Sequence, residues 1–495
     1  MGVYCFRRVF FGDGVGYFGK EKLFARGEQR IHNGSGTLLM MKRVIISLIL
    51  TMAFSCSAAW GQLTQTIEIS SSPNPVGSGA RALGMGGAFI GVADDATAAS
   101  WNPAGLIQLE TPEVSIVGAY NHRTEDTTYV AFPEASGPQR VSTYDLNYLS
   151  VAYPFSAWER NMIVSLNFQH LYDFNKTVEY SYSLVDTAGP PLFVEDKIHY
   201  DQEGAFKPIS PAFAAQITPN LSFGFTLNIW DHGIYDNYWE SKYRSQGSGT
   251  FVGFPFTVDT RIDERYEMDG LRFDLGDPFH WHNANFNLGL MWNMTPKFSL
   301  GAVFKSPFEA RLRRTFNFDS TITFPTNPAS NSRNVIQESD TVRLDMPMSF
   351  GMGLAARMSD ALTLDLDVYW TEWSEYVLHD AQGNEMNPIN GKPQGESDID
   401  DTVQVRLGGE YLLIGEKVVI PLRAGVFYDP EPAEGNPDDF WGFSIGSGIA
   451  YKNFVYDIAY QYRFGRDVRT TTVGNENSSQ DVDQHTVYMS VIYHF

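Results

Sequence analysis

The sequence predicts an all-β fold, a transmembrane antiparallel β-barrel of about fourteen strands with an N-terminal hatch, or plug, inside it. Three observations carry this. Apolar and small or polar residues alternate with a period of two in segment after segment, as expected for strands with one face toward lipid and one toward a lumen. The strands number an even fourteen, and tight connections on one side of them face long ones on the other. A stretch too polar to face lipid, residues 62–111, rich in Gly, Ala and Ser, precedes the first strand.

Taken in order, residues 1–40 carry no structural logic and are expected to be an upstream extension of the gene, with translation starting at Met40 or Met41. Residues 41–61 have the anatomy of a secretory signal: Lys42-Arg43, the apolar run Val44 to Phe54, then small residues ending at Ala59-Trp60-Gly61, with cleavage expected after Gly61. Cys5 and Cys56, the two cysteines of the chain, fall in this leader, so the remainder has no disulfide chemistry. Ala53-Phe54-Ser55 lacks the Leu that would make Cys56 a lipidation site. Residues 62–111 form the hatch and 112–495 the barrel with its long outer loops.

The expected strands are 112–123, 143–156, 160–178, 196–217, 220–236, 281–293, 297–318, 340–358, 361–378, 402–414, 417–428, 439–451, 453–467 and 484–495. In 442–451, Phe443, Ile445, Ile449 and Tyr451 oppose Gly442, Ser444, Gly446, Gly448 and Ala450. In 361–371, Leu362, Leu364, Leu366, Val368 and Trp370 oppose a face that carries Asp365 and Asp367, so two carboxylates are expected to point inward. A cation facing lipid at the bilayer midplane costs about 2–4 kcal/mol, and an acid less, so the hydrocarbon sets the register. The last strand puts Val487, Met489, Val491, Tyr493 and Phe495 on its lipid face, a terminal pattern suited to the outer-membrane barrel assembly machinery. Tight links at Thr218-Pro219-Asn220, Met358-Ser359-Asp360 and Lys452-Asn453 place both termini in the periplasm and the long connections, including 237–280, outside.

Mean hydropathy is −0.23 and no apolar run reaches the roughly 18–20 residues of a spanning helix, which excludes a helical membrane protein. A net charge of −22 argues against a nucleic-acid partner. No motif places a Ser/His/Asp set, so no enzyme is expected, and no cofactor. Gly84-Met85-Gly86-Gly87 lacks the preceding strand and βαβ unit of a dinucleotide loop. His280-Trp281-His282 could ligate a metal, but an aromatic belt or loop contact is the plainer reading, and the acidic run at Glu396, Asp398, Asp400 and Asp401 lacks a calcium-loop pattern, so no metal is expected.

Ser78-Gly79-Ala80-Arg81-Ala82-Leu83-Gly84-Met85-Gly86-Gly87-Ala88, Ala93-Asp94-Asp95-Ala96 and Trp101-Asn102-Pro103-Ala104-Gly105 resemble the hatch of the FadL/TodX family of outer-membrane transporters. Pro347 before a Gly-rich strand and Trp370-Thr371-Glu372-Trp373-Ser374 are similar to that family's Trp-Ser strand end, with looser matches at Lys305-Ser306-Pro307 and Gly425-Val426-Phe427-Tyr428-Asp429. The resemblance implies a monomer in outer-membrane lipid that takes up fatty acids, hydrocarbons or similar detergent-like molecules without energy input. Such solutes would be captured at the outer loops and released sideways past the hatch. An alternative is a PorV-like accessory barrel of a protein secretion system. Within the hatch, Gly84, Gly86 and Gly87 are expected to supply mobility, and Asn102, Pro103 and Ala104 a fixed turn. For a ligand carboxylate, the inward register nominates Lys305, Arg311, Arg313, Arg343 and Arg423, against the plainer reading of structural ion pairs with Glu309, Asp345, Glu410 and Asp457.

Overall fold

The computed structural model describes residues 69, 74, 77–130, 132–187, 190–273, 281–469 and 478–495. The expected extension, signal peptide and both cysteines lie outside the described residues, as does His280. Fourteen antiparallel strands close into a barrel in which every neighbour is consecutive along the wall. They are β1 (Glu113–Thr128), β2 (Gly137–Ala157), β3 (Arg160–Gln169), β4 (Ile209–Thr218), β5 (Leu221–Ile229), β6 (Ala284–Asn293), β7 (Phe298–Lys305), β8 (Ser349–Arg357), β9 (Leu362–Thr371), β10 (Thr402–Ile414), β11 (Val419–Tyr428), β12 (Phe440–Tyr451), β13 (Phe454–Arg469) and β14 (Ser479–His494). Pairing of β1 with β14 from Glu113↔His494 to Thr128↔Ser479 closes the ring, so no strand edge is left to lipid.

Faces follow the alternation. On β12 Ile445 is 57% exposed and Ser444 1%, and on β9 Leu364, Leu366 and Val368 face out while Asp365 and Asp367 are buried. The tight turns gather at one end. Trp158 and Glu159 join β2 to β3 with φ of 49° and 58°, the positive pair of a two-residue hairpin turn whose twist matches its strands. Both ends of the barrel chain, Glu113 and His494, lie at this short-turn end.

The other end departs from expectation. Six of the expected strands, 160–178, 196–217, 281–293, 297–318, 340–358 and 361–378, are divided between the barrel wall and a second sheet of eleven strands on the long-connection side. Three breaks carry a proline. Pro208 separates Leu192–Phe206 from β4, Pro307 separates β7 from Phe308–Thr323, and Pro347 separates Ser332–Met346 from β8. Proline has no N–H to give the ladder, so pairing is interrupted and the chain can turn out of the wall. The expected outer loops are therefore strands: the 237–280 insertion contains the hairpin of Tyr238–Phe251 and Phe254–Met268, and 179–195 and 319–339 lie largely within hairpins of the same sheet.

Inside the barrel lies the segment before β1, with helices α1 (Ala80–Gly84) and α2 (Ala98–Trp101) and a 3₁₀ turn at Pro103–Gln108. Its apolar side chains, among them Leu83, Met85, Phe89, Trp101 and Leu106, form one cluster with inward residues of the wall such as Ala152, Ile163 and Met291.

Candidate functional site

The hatch is seated by polar contacts aimed at its backbone. The Asp367 carboxylate on β9 accepts from Phe89 N and Ile90 N at 2.7 and 2.8 Å. Ser444 on β12 accepts from Gly86 N at 2.7 Å and donates to Gly84 O at 2.9 Å, while Arg406 on β10 donates to Gly86 O at 2.9 Å. These bonds satisfy backbone groups that a short, irregular plug cannot satisfy itself. Asn102 forms a hydrogen-bonded corner. Its side-chain oxygen accepts from Ala104 N at 3.2 Å, and its amide donates to Ile90 O and to Leu290 O on β6 at 3.1 and 3.0 Å. Ser222 on β5 holds Ala104 O at 3.0 Å.

The wall approaches the hatch through glycine. A Cβ on Gly408 would sit 2.0 Å from Met85 O, one on Gly425 would sit 2.3 Å from Gly86 N, and one on Gly224 would sit 2.1 Å from the Pro103 carbonyl carbon. Gly86 and Gly87 have φ of +72° and +74°, a left-handed conformation that few other residues adopt without cost. Gly84 packs against the α-carbon of Gly446.

An ionic chain anchors one side of the plug. Arg81 on α1 meets Asp94 at 2.5 Å and Glu410 on β10 at 2.9 Å, and Arg423 on β11 meets Glu410 and Asp457 at 2.6 Å each. Glu410 is thus the buried anion between two cations. Replacing it by Gln is expected to cost about 3 kcal/mol, the low end for breaking a buried pair, because Arg81 keeps Asp94 and Arg423 keeps Asp457. Trypsin cleavage at Arg81 in the folded barrel should quicken accordingly, and an unchanged cleavage rate would show that the pair does not hold the hatch.

Above the hatch, where the wall gives way to the outer sheet, aromatic side chains meet. Trp230 stacks on Phe308 at 5.0 Å and Trp239 on Tyr266 at 4.4 Å, while Phe174 packs on Phe206 and Trp239 at 5.0 and 5.2 Å. Trp373 and Tyr376 add an edge-to-face pair, and Met268, Leu312, Leu344, Met346 and Ile399 complete the buried cluster. Ile69 belongs to it, and the nearby Asn74 is tied to its edge: Trp373 Nε1 donates to Asn74 Oδ1 at 2.9 Å, and Asn74 Nδ2 donates to Asp429 at 2.9 Å. The chain leading into the hatch is therefore bonded to the aromatic cluster. Between hatch and wall lies a cavity of about 110 Å³ whose lining includes Asn74, Ser78, His170, Arg406, Gln461 and Arg463.

The nominated basic residues separate into two groups. Lys305 and Arg423 are buried inside the barrel, Lys305 with its ammonium 5.8 Å from the Tyr369 ring centre. Arg311, Arg313 and Arg343 do not line the lumen of the wall as the register suggested, because the break at Pro307 and Pro347 moves their strands into the outer sheet. There Arg313 pairs with Glu267, Arg311 with Asp269 at 3.4 Å and Arg343 with Glu309 at 3.2 Å. The Arg313 guanidinium, opposed by partial burial and helped by Arg265, holds the Glu267 carboxyl below its usual range. Sequence reasoning misses Asn74, Arg406, Arg463 and the aromatic residues of the cluster other than Trp373, while Trp373 and Asp429 appear in motifs and Asp367 on an inward face, each without a role.

A family model described as outer membrane protein transport protein (OMPP1/FadL/TodX) matches residues 74–493. Among solved structures, a FadL homologue of Pseudomonas aeruginosa superposes with a TM-score of 0.54 at 14% identity, covering 85% of this chain and 98% of its own. The toluene transporter TodX of Pseudomonas putida gives 0.49 at 13% identity, covering 85% and 98%, and the toluene transporter TbuX of Ralstonia pickettii 0.46 at 15%, covering 85% and 99%. At such identities the likeness concerns the fold, and the first superposition carries it. No curated protein sequence matches this chain.

Proposed function

The chain belongs to the FadL/TodX family of outer membrane transport proteins, and we propose that it passes hydrophobic compounds inward passively, capturing them in the aromatic chamber and releasing them when the hatch shifts. The observation that carries this reading is the position of the chamber. A buried aromatic cluster lies at the outer mouth, and the chain entering the hatch is hydrogen-bonded to its edge through Asn74 and Trp373. A greasy solute gains about 0.8 kcal/mol per methylene on leaving water, so capture needs no pump once the hydrophilic cell surface is bridged. Occupancy of the chamber competes with Ile69 and the Trp373–Asn74 bond, which couples capture to the plug. Replacing Trp239 by Ala should lower uptake of labelled toluene and labelled oleate together, and unchanged uptake of both in a folded variant would reject the chamber as the capture site.

If the solute is a fatty acid, we take Lys305 as the candidate partner of its carboxylate. It is buried, and it lies three residues before Phe308 of the chamber. Arg423 is engaged on both sides by Glu410 and Asp457. A hydrogen bond to a charged group contributes about 1.5–3 kcal/mol, so Lys305→Gln should reduce oleate uptake roughly tenfold or more while leaving toluene uptake within about twofold. Equal losses for both solutes, or none for oleate, would remove Lys305 as the anchor.

A further inference from the structure

The far rim of the outer sheet is uncharged and apolar. Three hairpins reach it side by side: Lys176–Asp186 with Leu192–Phe206, Tyr238–Phe251 with Phe254–Met268, and Phe308–Thr323 with Ser332–Met346. Register sets their turns at one level, since Leu192 pairs with Phe251 and Thr257 with Thr323. From Trp239 of the aromatic cluster to Phe251 the strand runs roughly 40 Å, so the rim stands well clear of the barrel mouth. Residues 187–194, 245–258 and 320–332, which make the three turns and their flanks, contain no Asp, Glu, Lys or Arg in a chain of which 19% is charged. They also hold no Trp or Tyr, and their aromatic residues are Phe193, Phe251, Phe254, Phe256 and Phe324.

The side chains of the rim divide by exposure. Leu192, Phe256 and Phe324 are buried together, whereas Val185, Val252 and Phe254 are 65%, 50% and 52% exposed. Large apolar groups gathered in water mark an interaction surface. The central turn is the second observation. Val252 and Gly253 have φ of 51° and 79°, the positive pair of a two-residue hairpin loop, where Asn-Gly or Asp-Gly is the usual choice and a β-branched residue is an outlier. The sequence thus keeps an apolar side chain at the tip against the preference of its backbone.

The charges that bound these stretches decide the partner. Asp186, Glu195, Asp259 and Asp319 are acidic, and the two basic ones, Arg244 and Arg333, are ion-paired with Asp263 and Asp319 at 2.5 and 2.7 Å. An anionic bilayer is held by clustered Lys and Arg and a headgroup layer by Trp and Tyr, and the rim has neither. Phenylalanine and valine suit a phase without headgroups. We propose that this rim docks on liquid hydrocarbon, the surface of an oil droplet outside the cell, so that solute reaches the barrel from a held droplet as well as from water. The use of the contact rests on the transport reading above, whereas the contact itself does not.

The test uses the full barrel in phosphatidylcholine nanodiscs, mixed with a hexadecane emulsion and centrifuged so that droplet-bound discs float. Wild-type discs should float and empty discs should not. Val252→Asn combined with Phe254→Thr gives the turn its preferred Asn-Gly and keeps a good strand former, and it should reduce flotation roughly fivefold or more because two apolar side chains no longer leave water. Val252→Asn alone is the milder form of the same change and should lower flotation roughly twofold. Val335→Thr, at a valine 51% exposed below the rim, should leave it unchanged. Retention of the compact, heat-modifiable electrophoretic form identifies folded variants. Flotation no greater than that of empty discs, or flotation unmoved by these rim substitutions, overturns the docking. So does equal capture by phosphatidylcholine or phosphatidylglycerol vesicles, which assigns the rim to a bilayer, or a tip-to-tip dimer formed without droplets, which assigns it to a second copy of the chain. Uptake of dissolved labelled toluene by cells carrying the double variant should match that of the wild type, and its loss would put the rim on the path of the single solute and overturn the proposal. A wild type that floats but takes up no toluene would instead reject the transport reading and leave the docking standing.

Discussion

A disulfide joining Gly84→Cys in the hatch to Gly446→Cys in β12 is expected to abolish solute uptake while oxidised and to restore it on reduction. A Cβ built on Gly84 lies 3.3 Å from the Gly446 α-carbon, and one built on Gly446 lies 3.1 Å from that of Gly84. The two backbones are within bridging reach but closer than a relaxed disulfide, whose α-carbons stand about 4.4–6.8 Å apart, so forming the bridge must move the hatch outward by a few tenths of an ångström. Cys5 and Cys56 are replaced by Ser in the background, so that any bridge formed is the intended one. Thiol titration reports closure of the bridge, and uptake of labelled oleate and toluene is followed with and without dithiothreitol. If this part of the plug must leave the wall for a solute to pass, the covalent bond prevents it, whereas the native contact rests on Ser444, Arg406 and close packing, each reversible. Full uptake through a demonstrably bridged barrel would reject a gate at this contact.

The barrel was legible because lipid enforces it. On β12 and β9 a side chain on the wrong face meets hydrocarbon, so Phe443 and Ile445, or Leu364 and Leu366, had to alternate with small or polar partners. The outer sheet has no such enforcement. Along Tyr238–Phe251 the buried positions are Trp239, Ser241, Tyr243, Ser245 and Gly247, an inner face of which two residues are polar, while the outer face meets water, so hydropathy does not distinguish strand from loop. Pro208, Pro307 and Pro347 were visible signals of the breaks. Reading through them carried Arg311, Arg313 and Arg343 into the lumen on paper.

The site was harder to read for a different reason. Inward glycines such as Gly446 look in sequence like filler on a lumen face, and only the packed hatch shows that the space is needed for backbone. Asn74 and Asp429 are 355 residues apart, and Arg406 lies on β10 whereas Asp429 follows the end of the neighbouring β11, a pairing that has first to be known. What the sequence does mark is the hatch itself, because Asn102-Pro103 is a local device: proline opens the 3₁₀ turn and the Asn side chain caps it.

Gly408→Ala should unseat the hatch without harming the barrel. The added methyl would stand 2.0 Å from the Met85 carbonyl oxygen and 2.8 Å from its carbonyl carbon and Cβ, all belonging to the plug. Carbon contacts settle near 3.5–4.0 Å, so the plug backbone must retreat by about an ångström or more. That retreat pulls on neighbouring anchors, the Arg406–Gly86 and Ser444–Gly86 hydrogen bonds, and overpacking of this kind costs about 1–3 kcal/mol. The wall pays little, since Gly408 pairs with Gly425 in a ladder that alanine can also form. Three readouts should therefore move together: faster trypsin cleavage at Arg81, entry of a bulky polar antibiotic that the intact plug excludes, and an unchanged heat-modifiable form of the barrel. Gly118→Ala on β1, where an added methyl meets nothing nearer than the Asp145 carbonyl oxygen at 4.0 Å, is the matched control and should leave all three unmoved. A tight, protease-resistant hatch in Gly408→Ala would mean that the plug can settle elsewhere in the lumen, and that the glycine seat is not what holds it closed.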